Sequence, residues 1–403
     1  MRVFALVLAV LLTFGCQKKD DSIQSSQTEK PSASQTPPAV TEQTGKFVIN
    51  PQFDQASTFS DGLAAVQVGS KHGYIDKAGK FVINPQFDSA SNFTEGLAAV
   101  RIGDYTEGKT GFIDKLGNMV IKPQFDDADS FSEGLAVIRI GNYIDGKRGF
   151  IDKQGKIVIN PQYHSAQSFS EGLAAIRIGD IKTGKWGFIN KQGNMIIKPQ
   201  FGYVTEFKDR LASVRVGDEL TGKWGFIDTQ GKFVINPQFD SAFNFTEGLA
   251  AVRVGDKRNG KEGFIDTQGK FVINPQFDSA SNFTEGLAAV RIGDDNTGKW
   301  GFIDKEGKLI VNPQFDQIGD FSEGLAAVRV GDKKTGKWGF IDKQGNIVIN
   351  MQFDPVPQLP ERLPNAYGLN SGLKDFEQID FMWNFSEGFV PVRVGRKMGY
   401  VTR

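Results

Sequence analysis

Beyond residue 44 the chain alternates short apolar runs with turn residues, and no window carries the 3.6-residue periodicity of an amphipathic helix. The runs come in threes. Residues 287–292 (LAAVRI), 300–304 (WGFID) and 308–312 (KLIVN) are each rich in side chains that favour extended backbone. The first two are joined by residues 293–298 and the last two by Lys305-Glu306-Gly307, both Gly-containing hairpin signals. The unit therefore predicts a three-stranded antiparallel meander. Pro313 follows the third run and predicts the end of its ladder, because proline has no N–H to donate. On one first strand, two-residue alternation puts Ala98, Val100 and Ile102 on one side and Leu97, Ala99 and Arg101 on the other.

The same unit is written nine times. Asn-Pro or its equivalent starts at Asn50, Asn84, Lys122, Asn160, Lys198, Asn236, Asn274, Asn312 and Asn350, so the first step is 34 residues and each later one 38. A fixed period of this size predicts a repeat architecture spanning residues 45–403 rather than two or three unrelated domains. Phe87 and Phe93 recur in the connecting segments, as Phe125 and Phe131 or Phe315 and Phe321. They are assigned to a core between neighbouring units, since a unit this short cannot bury a core alone. Two all-β geometries fit: a closed propeller-like ring and an open β-superhelix or solenoid. The chain enters on a third strand (46–50) and ends on a second (399–403), and pairing these ends closes a ring without exposed edges.

The N-terminal segment is of another kind. Arg2, an apolar run over residues 3–14, and Gly15 before Cys16 resemble a secretory signal, with residues 1–15 removed. The Gly15-Cys16 step resembles the lipidation site of bacterial lipoproteins, although Thr13 and Phe14 stand where the usual box has Leu and a small residue. That resemblance implies acylation of Cys16 and anchoring in a cell-envelope membrane; ordinary secretion is the alternative. Residues 17–44 are rich in Ser, Gln, Thr and Pro and cannot offset their ordering entropy, so they read as a disordered tether.

Charge narrows the partners. With 47 Lys+Arg against 47 Asp+Glu the chain has no net field, which removes the driving term for sequence-independent nucleic-acid binding. One Cys and two His predict neither an internal disulfide nor a zinc site, and no other metal or cofactor is expected. His72 and His164 occupy positions filled elsewhere by Trp and Asp, and no nucleophile, base and orienting group converge, so no catalytic residue is assigned.

The tripeptide Lys-Trp-Gly ending at Gly187, Gly225, Gly301 and Gly339, with the flanking F-x-E-G-L-A-x-V, resembles the WG (KWG) repeat family over residues 45–403. The resemblance implies secreted, lipid-anchored or multidomain bacterial proteins of variable copy number without an established catalytic activity. Variable copy number speaks for the open array, against the closure argued from the chain ends.

Candidate chemistry lies in four places. Trp186, Trp224, Trp300 and Trp338 share a position that Thr110 and Glu262 also occupy, which predicts exposure and either a stacking platform for sugar rings or a cover for the adjacent strand glycine. A Lys recurs before this position in every unit, an Arg in eight of the nine, and carboxylates recur after Phe-Ile or Tyr-Ile (Asp114, Asp76) and before Gly-Leu (Glu95, Glu133). These columns read as ion-pair and hydrogen-bond ladders between units. The last unit carries 26 inserted residues between Asn350 and Gly388, with Tyr367, Phe381 and Trp383, either a binding loop or a cap. Residues 190–211 break the pattern, with Asn190, Gly202 and Asp209-Arg210 replacing Asp, Asp and Glu-Gly. The sequence thus reads as a non-catalytic, membrane-anchored scaffold for an unidentified protein partner; a glycan-binding module is the alternative, and a hydrolase the third reading.

Overall fold

The computed structural model describes residues 45–180, 182–256, 258–355 and 384–403. Among these every regular element is a β-strand, gathered into nine small antiparallel sheets that close into a nine-bladed ring. The signal segment, the tether, and Tyr367, Phe381 and Trp383 lie outside the described residues.

The first complete blade orders Gln55–Ala56, Ala64–Val68, Lys71–Ile75 and Phe81–Phe87, so a blade has four strands rather than the three predicted. The extra strand is two residues long. A pair has no period to read, and only its register identifies it: Gln55 lies opposite Gln67 and Ala56 opposite Val66. Asp88 alone separates Phe81–Phe87 from Ser89–Ala90 of the next blade.

The third predicted strand does not stop at proline. Phe81–Phe87 runs through Pro85, because register shifts between His72↔Phe87 and Tyr74↔Ile83 set three residues, Asn84 to Gln86, opposite the single Gly73. Inside such a bulge the missing proline N–H costs no ladder bond.

Closure follows the chain ends. Phe47–Phe53 pairs with Lys397–Val401, which pairs with Val390–Val394, so the N-terminal strand completes the last blade. The seam is built like the other interfaces. Ser386 Oγ donates to the Phe59 carbonyl at 2.7 Å and Tyr400 OH to the Ser57 carbonyl at 2.7 Å, as Ser60 Oγ does to Phe93 at 2.6 Å and Tyr74 OH to Ser91 at 2.8 Å.

The core is a set of layers between blades. Leu63, Ala65, Tyr74, Ile83 and Phe87 of one sheet meet Ala98, Val100 and Ile113 of the next around Phe93, and Ile49, Met398 and Tyr400 meet Ala64, Val66 and Ile75 around Phe59 at the seam. Phe93 packs against Tyr74 with tilted rings, centroids 4.8 Å apart, and Phe131 against Phe112 at 4.9 Å. The connecting phenylalanines therefore sit between units as expected. The alternation expected on the first strand holds: Ala98 and Val100 enter the layer on one side and Leu97 and Ala99 the layer on the other, and all four are buried because a neighbouring blade covers each face of the sheet. Tyr203 packs edge-on against both Trp186 and Trp224, centroids 5.8 Å away in each case, and joins two successive layers into one.

Candidate interaction surface

The glycine after the Trp position has a steric origin. A Cβ on Gly225 would lie 2.5 Å from the Ile235 carbonyl oxygen and 2.7 Å from the Pro237 nitrogen, because the bulged strand folds its backbone across that glycine. The carbonyl lies equally close at Gly73, and the corresponding backbone crowds every such glycine around the ring.

The tryptophans do not form an exposed platform, which corrects the sequence expectation. Trp186, Trp224 and Trp338 are buried and Trp300 is half-buried. Each lies across the strand pair from an Arg: the guanidinium sits 5.5 Å from the ring centroid in Arg177–Trp186, 5.8 Å in Arg215–Trp224, 5.7 Å in Arg291–Trp300 and 5.8 Å in Arg329–Trp338. The same Arg column explains why polar residues are accepted there. Arg101 Nη1 donates to Thr110 Oγ1 at 3.4 Å and Arg253 Nη2 to Glu262 Oε1 at 2.8 Å, and both Thr110 and Glu262 are buried. A long cation covers a ring, a hydroxyl or a carboxylate in turn, so variability at this position does not signal exposure.

The WG-containing repeat family matches residues 42–71, 73–105, 111–143, 149–180, 186–219, 224–257, 263–294, 300–333 and 338–355. The chain belongs to this family. No curated protein matches the sequence. Among solved structures, a eukaryotic initiation factor is similar in fold, with a TM-score of 0.53 and 11% identity over 76% of this chain and 88% of that one. Porphyromonas gingivalis dipeptidyl peptidase 4 gives a TM-score of 0.48 at 9% identity, covering 75% of this chain and 60% of that one. A prolyl endopeptidase gives 0.42 at 11% identity, covering 73% of this chain and 54% of that one.

In this WG-repeat ring the antiparallel hairpins place two sets of connections at opposite ends of every sheet, and each end has its own carboxylate bridge. At one end Asp88 accepts from Lys71 Nζ at 2.7 Å and from Gly103 N–H of the following blade at 2.8 Å. The Lys71 hydrogen bond, then that of Gly103, hold the Asp88 carboxyl below the usual carboxylate range. Asp54 does the same across the seam, with Lys397 Nζ at 2.6 Å and Gly69 N–H at 2.8 Å. The column is interrupted twice. His164 takes the Asp place, its Nε2 2.5 Å from Lys147 Nζ, and burial followed by Lys147 lowers its pKa; the next position is Gly202.

The carboxylates after Phe-Ile or Tyr-Ile, expected to link units, instead cap their own turns: Asp76 Oδ1 accepts from Ala78 and Lys80 N–H at 3.0 and 2.9 Å. The residues before Gly-Leu do link blades. Their turns are two-residue hairpins with both central φ positive, Glu95 at 53° and Gly96 at 86° between Thr94 and Leu97. The Glu95 carboxylate accepts from Gly134 N–H of the next turn at 3.1 Å, and the series Asp61, Glu95, Glu133, Glu171, Asp209, Glu247, Glu285, Glu323, Glu387 runs round the ring until Glu387 accepts from Gly62 N–H at 3.1 Å.

A lysine of the next blade, 58 residues further on, closes most of these links. Lys153 Nζ lies 3.0 Å from Glu95 Oε2 and donates to the Glu95 carbonyl at 3.0 Å; Lys305 meets Glu247 and Lys343 meets Glu285 in the same way. Burial pushes Glu285 up, and Lys343 with the Gly324 N–H outweighs it, leaving the carboxyl lowered. Threonine replaces this lysine at positions 229 and 267. There an open cleft of about 440 Å³ is lined by Asp209, Arg210, Asp228, Thr229, Gln230 and Thr267. The sequence singled out Asp209-Arg210 but not the two threonines, whose meaning depends on which carboxylate they face.

Arg210 stands where the other turns carry glycine and holds φ at 64°. A Cβ in that region costs roughly 1–2 kcal/mol. Arg210→Gly is therefore expected to raise stability by about 1 kcal/mol, read as a higher urea midpoint; an unchanged or lower midpoint would show that the side chain contributes more than the strain removes.

Proposed function

We propose that this WG-repeat protein is a non-catalytic scaffold for protein interaction in the bacterial cell envelope, held at a membrane through lipid on Cys16. The observation that supports it best is the closed ring, in which the buried aromatic layers and the linking carboxylates join blade to blade. Such a ring holds its surface turns at fixed spacings, and binding residues sit disproportionately on loops carried by a rigid frame.

Anchoring rests on residues 2–16, whose pattern resembles a lipoprotein signal, and on a polar tether over residues 17–44. Multiple acyl chains give stable membrane attachment where a single chain does not. The glycan reading loses its support with the burial of Trp186, Trp224 and Trp338 beneath the arginine column.

The test has two parts. Cys16→Ala is expected to move the protein from the membrane fraction to the soluble fraction; unchanged partition overturns the anchor. Amine-reactive cross-linking on intact cells is expected to give discrete protein adducts of the wild-type chain. Recovery of uncross-linked chain alone overturns the scaffold reading.

A further inference from the structure

The ring itself shows how an ammonium is held on its Glu-Gly turns. At Glu95, Glu247 and Glu285 a lysine from another blade takes the same two acceptors, the glutamate's carboxylate oxygen and its backbone carbonyl, at 3.0 to 3.1 Å. Lys191 reaches Glu133 at 3.1 Å and Lys77 reaches Glu387 at 3.0 Å. The acceptor geometry thus recurs with its occupant supplied by the chain.

Two adjacent positions keep the acceptors and lack the occupant. Thr229 and Thr267 stand where a lysine would face Glu171 and Asp209, and their side chains are too short to carry an ammonium there. Among the described residues no cation lies within ion-pair distance of either carboxylate; Glu171 accepts from Arg210 N–H at 2.9 Å and Asp209 from Gly248 N–H at 3.3 Å. The Arg210 guanidinium, on an exposed turn between the two, pairs with neither. The open cleft falls in this sector, with Asp209, Thr229 and Thr267 in its wall, so the space the lysines fill elsewhere is accessible from outside.

We propose that this sector is a docking site for lysine side chains of a partner protein, whose ammonium groups take the places that Lys153, Lys305 and Lys343 fill at Glu95, Glu247 and Glu285. Two such places on successive blades suit two lysines of one extended segment. The argument for this occupant is charge complementarity of a kind the ring already displays six times, counting Lys115 with Asp61. The inference rests on the scaffold reading and narrows it to one face and one side-chain chemistry.

The test measures binding of fluorescently labelled tetralysine to the full chain by anisotropy at low ionic strength, against Thr229→Lys/Thr267→Lys. That variant restores the ring's own ammonium groups in a form the other blades already tolerate. It is expected to weaken binding at least tenfold. Leu220→Lys/Ile144→Lys adds the same charge on exposed loops at the opposite ends of the sheets, and is expected to change binding less than twofold. Equal loss in both variants, or no loss in the first, overturns the site, as does equal binding of an Nε-acetylated tetralysine. Equal competition by spermidine overturns the protein source of the ammonium. If cell cross-linking still captures a partner through Thr229→Lys/Thr267→Lys as through wild type, the scaffold stands and this sector falls.

Discussion

Arg253→Ala is expected to destabilise the protein by about 4 kcal/mol, because it leaves a buried carboxylate without its partner. Glu262 is 4% exposed and lies directly across the strand pair from Arg253. Arg253 Nη2 and Nε donate to Glu262 Oε1 at 2.8 and 3.1 Å, and Ala280 N–H donates to Oε2 at 2.5 Å. Burial pushes the Glu262 carboxyl up, with Arg253 the largest opposing influence. A carboxyl whose folded pKa exceeds its unfolded value costs stability as pH rises through the folded pKa, and the cost disappears below the unfolded value. Removing Arg253 raises the folded pKa further. The deficit of Arg253→Ala should therefore be larger at pH 8 than at pH 5, measured by urea unfolding at both. Glu262→Trp is the companion, since it recreates the Arg-over-Trp pair of Arg215 and Trp224 and is expected to fall within about 1 kcal/mol of wild type or above it. Equal midpoints for Arg253→Ala and wild type would sink this account of the Arg column.

Gly225→Ala is expected to cost about 3 kcal/mol, at the upper end of the usual cost of overpacking. The obstacle is backbone, with the Ile235 carbonyl oxygen 2.5 Å, the Pro237 nitrogen 2.7 Å and the Asn236 carbonyl carbon 2.8 Å from the added carbon. A flexible side chain could move aside; a strand paired through Phe226↔Ile235 and Trp224↔Phe239 cannot do so without losing register. Gly248→Ala separates crowding from conformation: its φ is 85° and nothing lies within 4 Å of the new carbon. That substitution is expected to cost about 1–2 kcal/mol through backbone strain alone. Urea midpoints of the two variants should therefore differ clearly, with Gly225→Ala the lower. If they coincide, the bulge yields and the glycine is kept for another reason.

The same local geometry explains which parts of the fold were legible. Strands of five to seven residues announce themselves by composition and by the turns between them. Gln55–Ala56 and its counterparts are invisible because two residues carry no period. Pro85 misleads for a related reason: a rule about ladder hydrogen bonds does not apply inside a bulge, and a bulge is defined by two strands at once. The exposure inferred for Trp186 and its equivalents failed because Thr110 and Glu262 looked incompatible with a core. The covering Arg is nine residues earlier, and only strand register brings it over the site.

The repeat, its nine copies, its all-β character and the complementarity of its two ends were determined by the sequence alone, since they depend on periodicity and on which strand type begins and ends the chain. Ring closure needed the tertiary structure, because a meander twisted slightly differently would stack into an open superhelix from the same strands. The linking role of Glu95 and the self-capping role of Asp76 were likewise decided in space. Both are carboxylates at fixed places in one repeat, yet one reaches the next blade and the other its own turn. Thr229 and Thr267 are the sharpest case. In the sequence they are two replacements of lysine, and only the arrangement of blades shows them facing Glu171 and Asp209, because contacts 58 residues apart follow from how the ring is stacked and from nothing local.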